Sequence, residues 1–167
     1  MFLINSADIK KLIDYKSLIK EIKNTFKKAD FCPAREIYDI DNNIINKSQF
    51  LLMPAFIKNK YYGVKLLNVF PNNPAKGMDR VKALYVLFDK NNGNVRAIID
   101  GTVLTKYRTA AMSALASQYL SNKNSSNLLI IGTGTLVPYM ISAHTKVRPI
   151  KNVYIWGRNY QKAKNFL

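Results

Sequence analysis

The sequence predicts an α/β chain: a mainly antiparallel α+β region, followed by the opening of a parallel, Rossmann-type sheet. Three observations predict it. Residues 128–131 are a continuous apolar run, Leu-Leu-Ile-Ile, that leads straight into Gly132-Thr133-Gly134. Such a run suits a parallel strand buried on both faces, and the glycines suit a tight strand-to-helix turn. Upstream, between residues 31 and 100, short apolar stretches alternate with turn residues at close spacing, the pattern of antiparallel strands. Between these regions, residues 104–120 carry Ala110, Ala111, Ala114 and Ala116, a small-residue helix face that allows close packing.

In chain order, Phe2-Leu3-Ile4 reads as a short strand or lead-in covering residues 1–12. Asp14 can cap a helix over residues 15–29, where Leu18, Ile19, Ile22 and Phe26 share a face. Pro33 ends it, and Ile37, Tyr38 and Ile40 suggest a strand with Arg35 at its start. The Asn-rich residues 41–47 form a hairpin turn. Strands follow at residues 50–56 and 61–70, separated by a turn at Asn59 and Lys60. A loop at residues 71–77 leads to strands at 81–89 and 95–100, joined by a tight turn at Asn91-Asn92-Gly93. Thr105 can cap the helix of residues 104–120, which sets Lys106 and Arg108 in its first turn.

The polar residues 121–127 are the expected boundary. They divide a first domain (1–120) from the start of a dinucleotide-binding domain (121–167). After the glycine turn, Pro138 falls in the first turn of a helix that runs to about Val147. A second buried strand spans residues 153–156 and ends at Gly157-Arg158-Asn159. A further helix begins at Tyr160.

Composition narrows the function. The formal charge of +16 raises the question of nucleic acid. However, 20 of the 26 cations are lysines spread along the chain, with no block of five or six, which favours a solvated surface over a nucleic-acid-binding domain. No apolar run reaches the length of a membrane span, residues 1–11 lack a secretory pattern, and Cys32 is the only cysteine. These features predict a cytoplasmic setting without disulfide or metal cluster. His144 is also alone and reads as a helix-flank residue.

The charge is unevenly placed. All ten carboxylates lie within residues 1–100, while residues 101–167 hold nine Lys and Arg. The βαβ unit gives the asymmetry a meaning. In NAD-binding folds an acidic residue at the end of the second strand accepts the ribose 2′-hydroxyl. Here Arg158 occupies that region, and a guanidinium pairs with a 2′-phosphate. NADP(H) is therefore favoured, with NAD(H) possible. The backbone of Gly132, Thr133, Gly134 and Thr135, together with Arg158 and Asn159, is the expected cofactor site. Two other cations have competing readings. Arg108 opposes the helix dipole, a cost that a bound anion would offset, or it simply points into water. Strand alternation puts Lys65 opposite Val64 and Leu66, on a solvent face, unless a specific anion holds it.

The order of motifs resembles the ornithine cyclodeaminase/mu-crystallin family. The matching residues begin with Leu52-Met53-Pro54, Gly63-Val64-Lys65, Phe70-Pro71-Asn72-Asn73, Leu87-Phe88-Asp89, Asn92-Gly93 and Asp100-Gly101. Leu104-Thr105-Lys106-Tyr107-Arg108-Thr109-Ala110-Ala111 and Ser113-Ala114-Leu115-Ala116 form the most specific block. Ile131-Gly132-Thr133-Gly134, Arg148-Pro149-Ile150 and Val153-Tyr154-Ile155-Trp156-Gly157-Arg158 complete the match. The resemblance implies a first domain that binds substrate and makes a homodimer, followed by a Rossmann domain. It implies hydride transfer at the amino- or imino-bearing carbon of a small amino or imino acid. Ornithine would become proline with loss of ammonia, or pyrroline-2-carboxylate would be reduced.

By motif position, Arg35, Lys65 and Arg108 would gather around the substrate carboxylate, with Lys65 at the catalytic centre and Arg108 also near the cofactor phosphates. The sequence departs from the family at Leu136-Val137 and at Arg80. It also stops at Leu167, after two strands of the second sheet, so the family's proton-transferring aspartate is expected beyond it. This is the pattern of a fragment, or of a chain completed by a partner. A non-catalytic, mu-crystallin-like protein that binds NADP or another ligand is the alternative.

Overall fold

A computed structural model describes residues 1–27, 33–57 and 61–166. Cys32, the expected turn at Asn59 and Lys60, and the end of the first predicted helix lie outside them. The chain divides into two compact units. The first comprises Met1–Leu12 with Lys28–Thr105, and the second Ile13–Lys27 with Lys106–Leu167.

The first unit is a six-stranded sheet. Its strands are β1 (Phe2–Ile4), β2 (Glu36–Asp39), β3 (Gln49–Ile57), β4 (Tyr61–Val69), β5 (Val81–Asp89) and β6 (Val95–Asp100). The spatial order is β1-β6-β5-β4-β3-β2, antiparallel throughout except for the parallel β1–β6 pair. The mainly antiparallel reading thus holds. Strand β3 runs through Pro54, and Gly93, at φ 76°, supplies the left-handed residue of the β5–β6 turn. Residues 6–12 add a helix that sequence reading missed: α1, Ser6–Leu12. It is too short for a clear helical period. Its signal is the cap: Asn5 Oδ1 accepts from the amides of Ala7 and Asp8, and Asp8 Oδ2 accepts from the Asn5 amide.

The second unit holds α2 (Tyr15–Lys27), most of α3 (Gly101–Leu120), β7 (Asn127–Ile131), α4 (Val137–His144), β8 (Asn152–Trp156) and α5 (Tyr160–Lys164). Asp14 caps α2 as expected; its Oδ2 accepts from the Ser17 amide at 2.9 Å. The core is built on the alanine face. Ala110, Ala111, Ala114 and Ala143 are fully buried against Tyr15, Ile19 and Leu115. Tyr107 bridges Tyr15 and Tyr139, with ring centroids 5.3 and 5.1 Å away. Ala116, by contrast, is exposed.

Two expectations are corrected. Helix α3 begins at Gly101, not Leu104. Its cap is Asp100, whose Oδ1 accepts from the amides of Thr102 (2.9 Å) and Val103 (3.0 Å). Thr105 therefore lies inside the helix. Glycine is needed at position 101 because a Cβ there would stand 2.8 Å from the backbone of Ala83 and Leu84. Strand β7 pairs in parallel with β8, as predicted, but the pair is not buried on both faces. Leu128, Ile130, Val153 and Ile155 are half-buried, whereas Leu129, Ile131, Tyr154 and Trp156 face solvent. Among the described residues this sheet has two strands, and no element covers its second face.

Candidate functional site

Cross-strand register assembles the part of the site carried by the first unit. Lys65 on β4 pairs directly with Met53 on β3 and Tyr85 on β5. Directly opposed residues share a face. This face also holds Leu51, Leu67 and Ala97, all less than a tenth exposed. The solvent-face alternative for Lys65 is thereby corrected. Alternation does separate it from Val64 and Leu66, but its own side of the sheet is the covered one, and Lys65 is half-buried there. Arg35 lies one residue before the first paired position of β2, Glu36 opposite Leu52, at the end of the strand nearest Met53. It is exposed. Two strand spacings, about 10 Å, separate the backbones of β2 and β4. Two long cationic side chains can span that gap to hold one carboxylate.

Tyr85 is a residue that sequence reasoning missed. It stands opposite Lys65, and burial pushes its phenol pKa up. Gly63 makes room for the ring: a Cβ at position 63 would lie 2.7 Å from the Tyr85 hydroxyl and 2.5 Å from the Val86 carbonyl oxygen. The signal available in the sequence was Gly63 itself, a glycine inside an apolar strand, which marks a close approach.

The second unit joins the two turns at the carboxyl ends of β7 and β8. The Gly132 amide donates to the Trp156 carbonyl at 2.7 Å. The Thr133 side chain packs against Gly157, where a Cβ would lie 2.5 Å from Thr133 Cγ2. Gly132 has φ 130°, a conformation that residues with a side chain rarely adopt. Thus the turns after β7 and β8, joined at Thr133 and Gly157, form a rim at the strand ends, where α/β folds bind nucleotides, with Gly134-Thr135 and Arg158-Asn159 next in sequence on either side. A Cβ added at Gly132 or Gly134 would meet nothing within 4 Å, so the space above both glycines is open.

Helix α4 leaves this rim with Pro138 in its first turn and Val137 buried. Val137 therefore packs into the interior. Asn159 caps α5: its Oδ1 accepts from the Lys162 amide at 3.0 Å. Arg158 beside it is exposed. Arg108 is also exposed, on α3, and the earlier start of that helix moves it out of the first turn. Its expected opposition to the helix dipole therefore falls away, and Lys106 likewise lies beyond the first turn. His144 ends α4, half-buried, with Nε2 3.1 Å from Ser113 Oγ; burial lowers its pKa.

Comparison with known proteins supplies the family. The family model described as ornithine cyclodeaminase/mu-crystallin matches residues 2–167. The chain belongs to this family. It is 36% identical to a Δ1-pyrroline-2-carboxylate reductase of Colwellia psychrerythraea, over all of this chain and 53% of that protein. Among solved structures, the Δ1-pyrroline-2-carboxylate reductase of Thermococcus litoralis, in complex with NADH and L-proline, matches with a TM-score of 0.90 and 29% identity. That match covers 99% of this chain and 52% of the other. An archaeal alanine dehydrogenase dimer with bound NAD matches with a TM-score of 0.87 and 27% identity, over 99% and 51% of the two chains. The chain thus spans about half the length of the relatives it matches. No described helix is long and apolar enough to cross a membrane.

Proposed function

We propose that this chain carries the substrate-binding and nucleotide-binding half of an NADP(H)-dependent reductase of small cyclic imino acids. Arg35, Lys65 and Arg108 bind the substrate carboxylate, with Lys65 nearest the reacting carbon. The rim formed by Gly132, Thr133, Gly134 and Thr135 receives the dinucleotide phosphates, and Arg158 and Asn159 receive the adenosine ribose. When bound, the nicotinamide supplies the hydride. The protein's contribution is to fix the carboxylate through charge-assisted bonds and so hold the imino carbon in place. The reading joins Lys65 and Arg108, which lie in different compact units, only through the family relation.

The observation that carries the proposal is Lys65 on the covered sheet face, directly opposite Tyr85 and made accessible to it by Gly63. The absence of any carboxylate side chain after Asp100 supports NADP(H) over NAD(H), because nothing there repels a 2′-phosphate. The opposite sheet face supports a homodimer. Leu3 and Leu84 are exposed there, beside Leu66 and Ile98, along an open depression of about 960 Å³. A cytoplasmic setting accompanies this reading.

The test is ligand binding followed by turnover. L-proline and NADPH should together raise the melting temperature, and Lys65→Met should abolish the proline contribution. A version extended to the full length of its relatives should oxidise NADPH on addition of pyrroline-2-carboxylate. If neither ligand shifts the melting temperature of the wild-type chain, the proposal fails.

A further inference from the structure

Arg148 lies in the loop between α4 and β8, half-buried, in a stretch of chain with no carboxylate side chain. Each nitrogen of its guanidinium nevertheless donates at least one hydrogen bond. Nη2 donates to the carbonyls of Ser117 (2.8 Å), Gln118 (3.0 Å) and Ser121 (3.0 Å). Nε donates to Ser121 Oγ (2.9 Å), and Nη1 to the Val147 carbonyl (2.7 Å). The counter-charge is the carbonyl end of α3, where the helix dipole is negative and the last carbonyls lack partners within the helix. Arg148 also continues the turn after α4, its amide donating to the His144 carbonyl at 3.0 Å. A single side chain therefore ties the end of α3 to the α4–β8 crossover. The Ser113–His144 bond makes a second tie between the same helices.

These ties matter because of what the two elements carry. Helix α3 bears Arg108, about 14 Å along its axis from Ser117. Helix α4 leaves the glycine turn, and β8 ends at Arg158. The face between α3 and α4 combines fully buried alanines with the Tyr107–Tyr139 pair near Arg108, and Arg148 fixes the far end of α3, about ten residues beyond those rings. We infer that Arg148 is a positioning residue: it sets α3, and with it Arg108, against the nucleotide-binding βαβ unit. It does not touch the nucleotide. Lysine cannot replace it, because an ammonium lacks the planar fork that reaches several carbonyls at once. The inference rests on the nucleotide reading proposed above.

A double-mutant cycle on NADPH affinity tests it, measured by calorimetry on the wild-type chain, Arg148→Lys, Arg108→Ala and the double variant. Arg148→Lys should weaken NADPH by about tenfold, and Arg108→Ala by at least as much. The double variant should bind no more weakly than Arg108→Ala alone, because Arg148 acts through Arg108. A merely structural arginine would instead give losses that multiply, and that result overturns the inference. So does an Arg148→Lys chain that binds like wild type.

Should circular dichroism show Arg148→Lys unfolded, Ser121→Ala removes one acceptor and leaves the arginine. A loss of about threefold, again absent in the Arg108→Ala background, carries the same conclusion; an additive or absent effect refutes it. If the wild-type chain binds no NADPH, the nucleotide reading falls and this inference falls with it. If wild type and Arg108→Ala behave as expected and the cycle is additive, only the positioning role is lost.

Discussion

The six-stranded sheet buries Leu51, Leu67 and Ala97 almost completely, whereas the two-stranded sheet leaves Leu129, Ile131, Tyr154 and Trp156 more than half exposed. Both sheets carry candidate binding residues, but they hold them differently. In the first, Lys65 and Tyr85 project from the middle of paired strands, and cross-strand neighbours fix their place. In the second, the rim lies beyond the strand ends, and turn conformation fixes it: Gly132 at φ 130°, the Gly132–Trp156 hydrogen bond, and Thr133 seated on Gly157. The contrast teaches where each function is vulnerable. Packing changes should break the first region, and backbone changes at open positions should affect ligand binding in the second without unfolding it.

Glycine substitutions expose the contrast most strongly. Gly63→Ala should cost about 2–4 kcal/mol of stability in urea unfolding, because the new Cβ meets the Val86 carbonyl oxygen and the Tyr85 ring. Gly134→Ala meets nothing, so it should leave stability within about 0.5 kcal/mol of wild type while weakening NADPH. If Gly63→Ala unfolds like wild type, or Gly134→Ala unfolds as easily as Gly63→Ala, the contrast is wrong.

Lys65→Met should weaken proline by about 100-fold in a calorimetric titration, with NADPH affinity nearly unchanged. Tyr85→Phe keeps the ring and removes only the hydroxyl, so a smaller loss of about three- to tenfold is expected in the same titration. A Tyr85→Phe chain that binds proline like wild type would remove Tyr85 from the site.

The smallest expected effect is a pH dependence confined to the second region. Burial lowers the His144 pKa below the 6.5 of the unfolded chain. The folded state therefore binds fewer protons in that range. Stability is fully present above pH 6.5 and declines as pH falls below it, toward the depressed folded-state value. Thermal unfolding of wild type between pH 7.5 and 5 should show this decline, and His144→Gln, which keeps a polar partner for Ser113, should flatten it. An identical slope in both proteins would show that His144 is not its source.

Much of this organisation was legible in the sequence, for identifiable reasons. Alternating apolar residues and turn glycines located β3 to β6, and the apolar run into Gly132 located β7 with its turn. The turns that follow β7 and β8 do touch, through the Gly132–Trp156 hydrogen bond and the Thr133–Gly157 contact, as the βαβ pattern required. Other features were hidden. Alternation separates Lys65 from Val64 and Leu66 but carries no information about which face is covered. Helix α3 starts three residues early because Asp100, the last residue of a strand, doubles as its cap, and this removed the dipole argument for Arg108. Coverage of β7 and β8 depends on elements distant in the chain, which local pattern cannot report. Arg148 was visible only as part of a motif. Its five hydrogen bonds reach residues about thirty positions away or an adjacent carbonyl, and no spacing announces them.

On the proposed reading, the rim at Gly132–Thr135 and Arg158 seats a nucleotide bearing a 2′-phosphate. Calorimetric titration of the wild-type chain with adenosine 2′,5′-bisphosphate and with 5′-AMP tests it most directly, since both probes need only this rim. The bisphosphate should bind about tenfold or more tighter than 5′-AMP, and Arg158→Ala should erase the difference. Binding of neither nucleotide, or a preference that survives Arg158→Ala, would contradict the account.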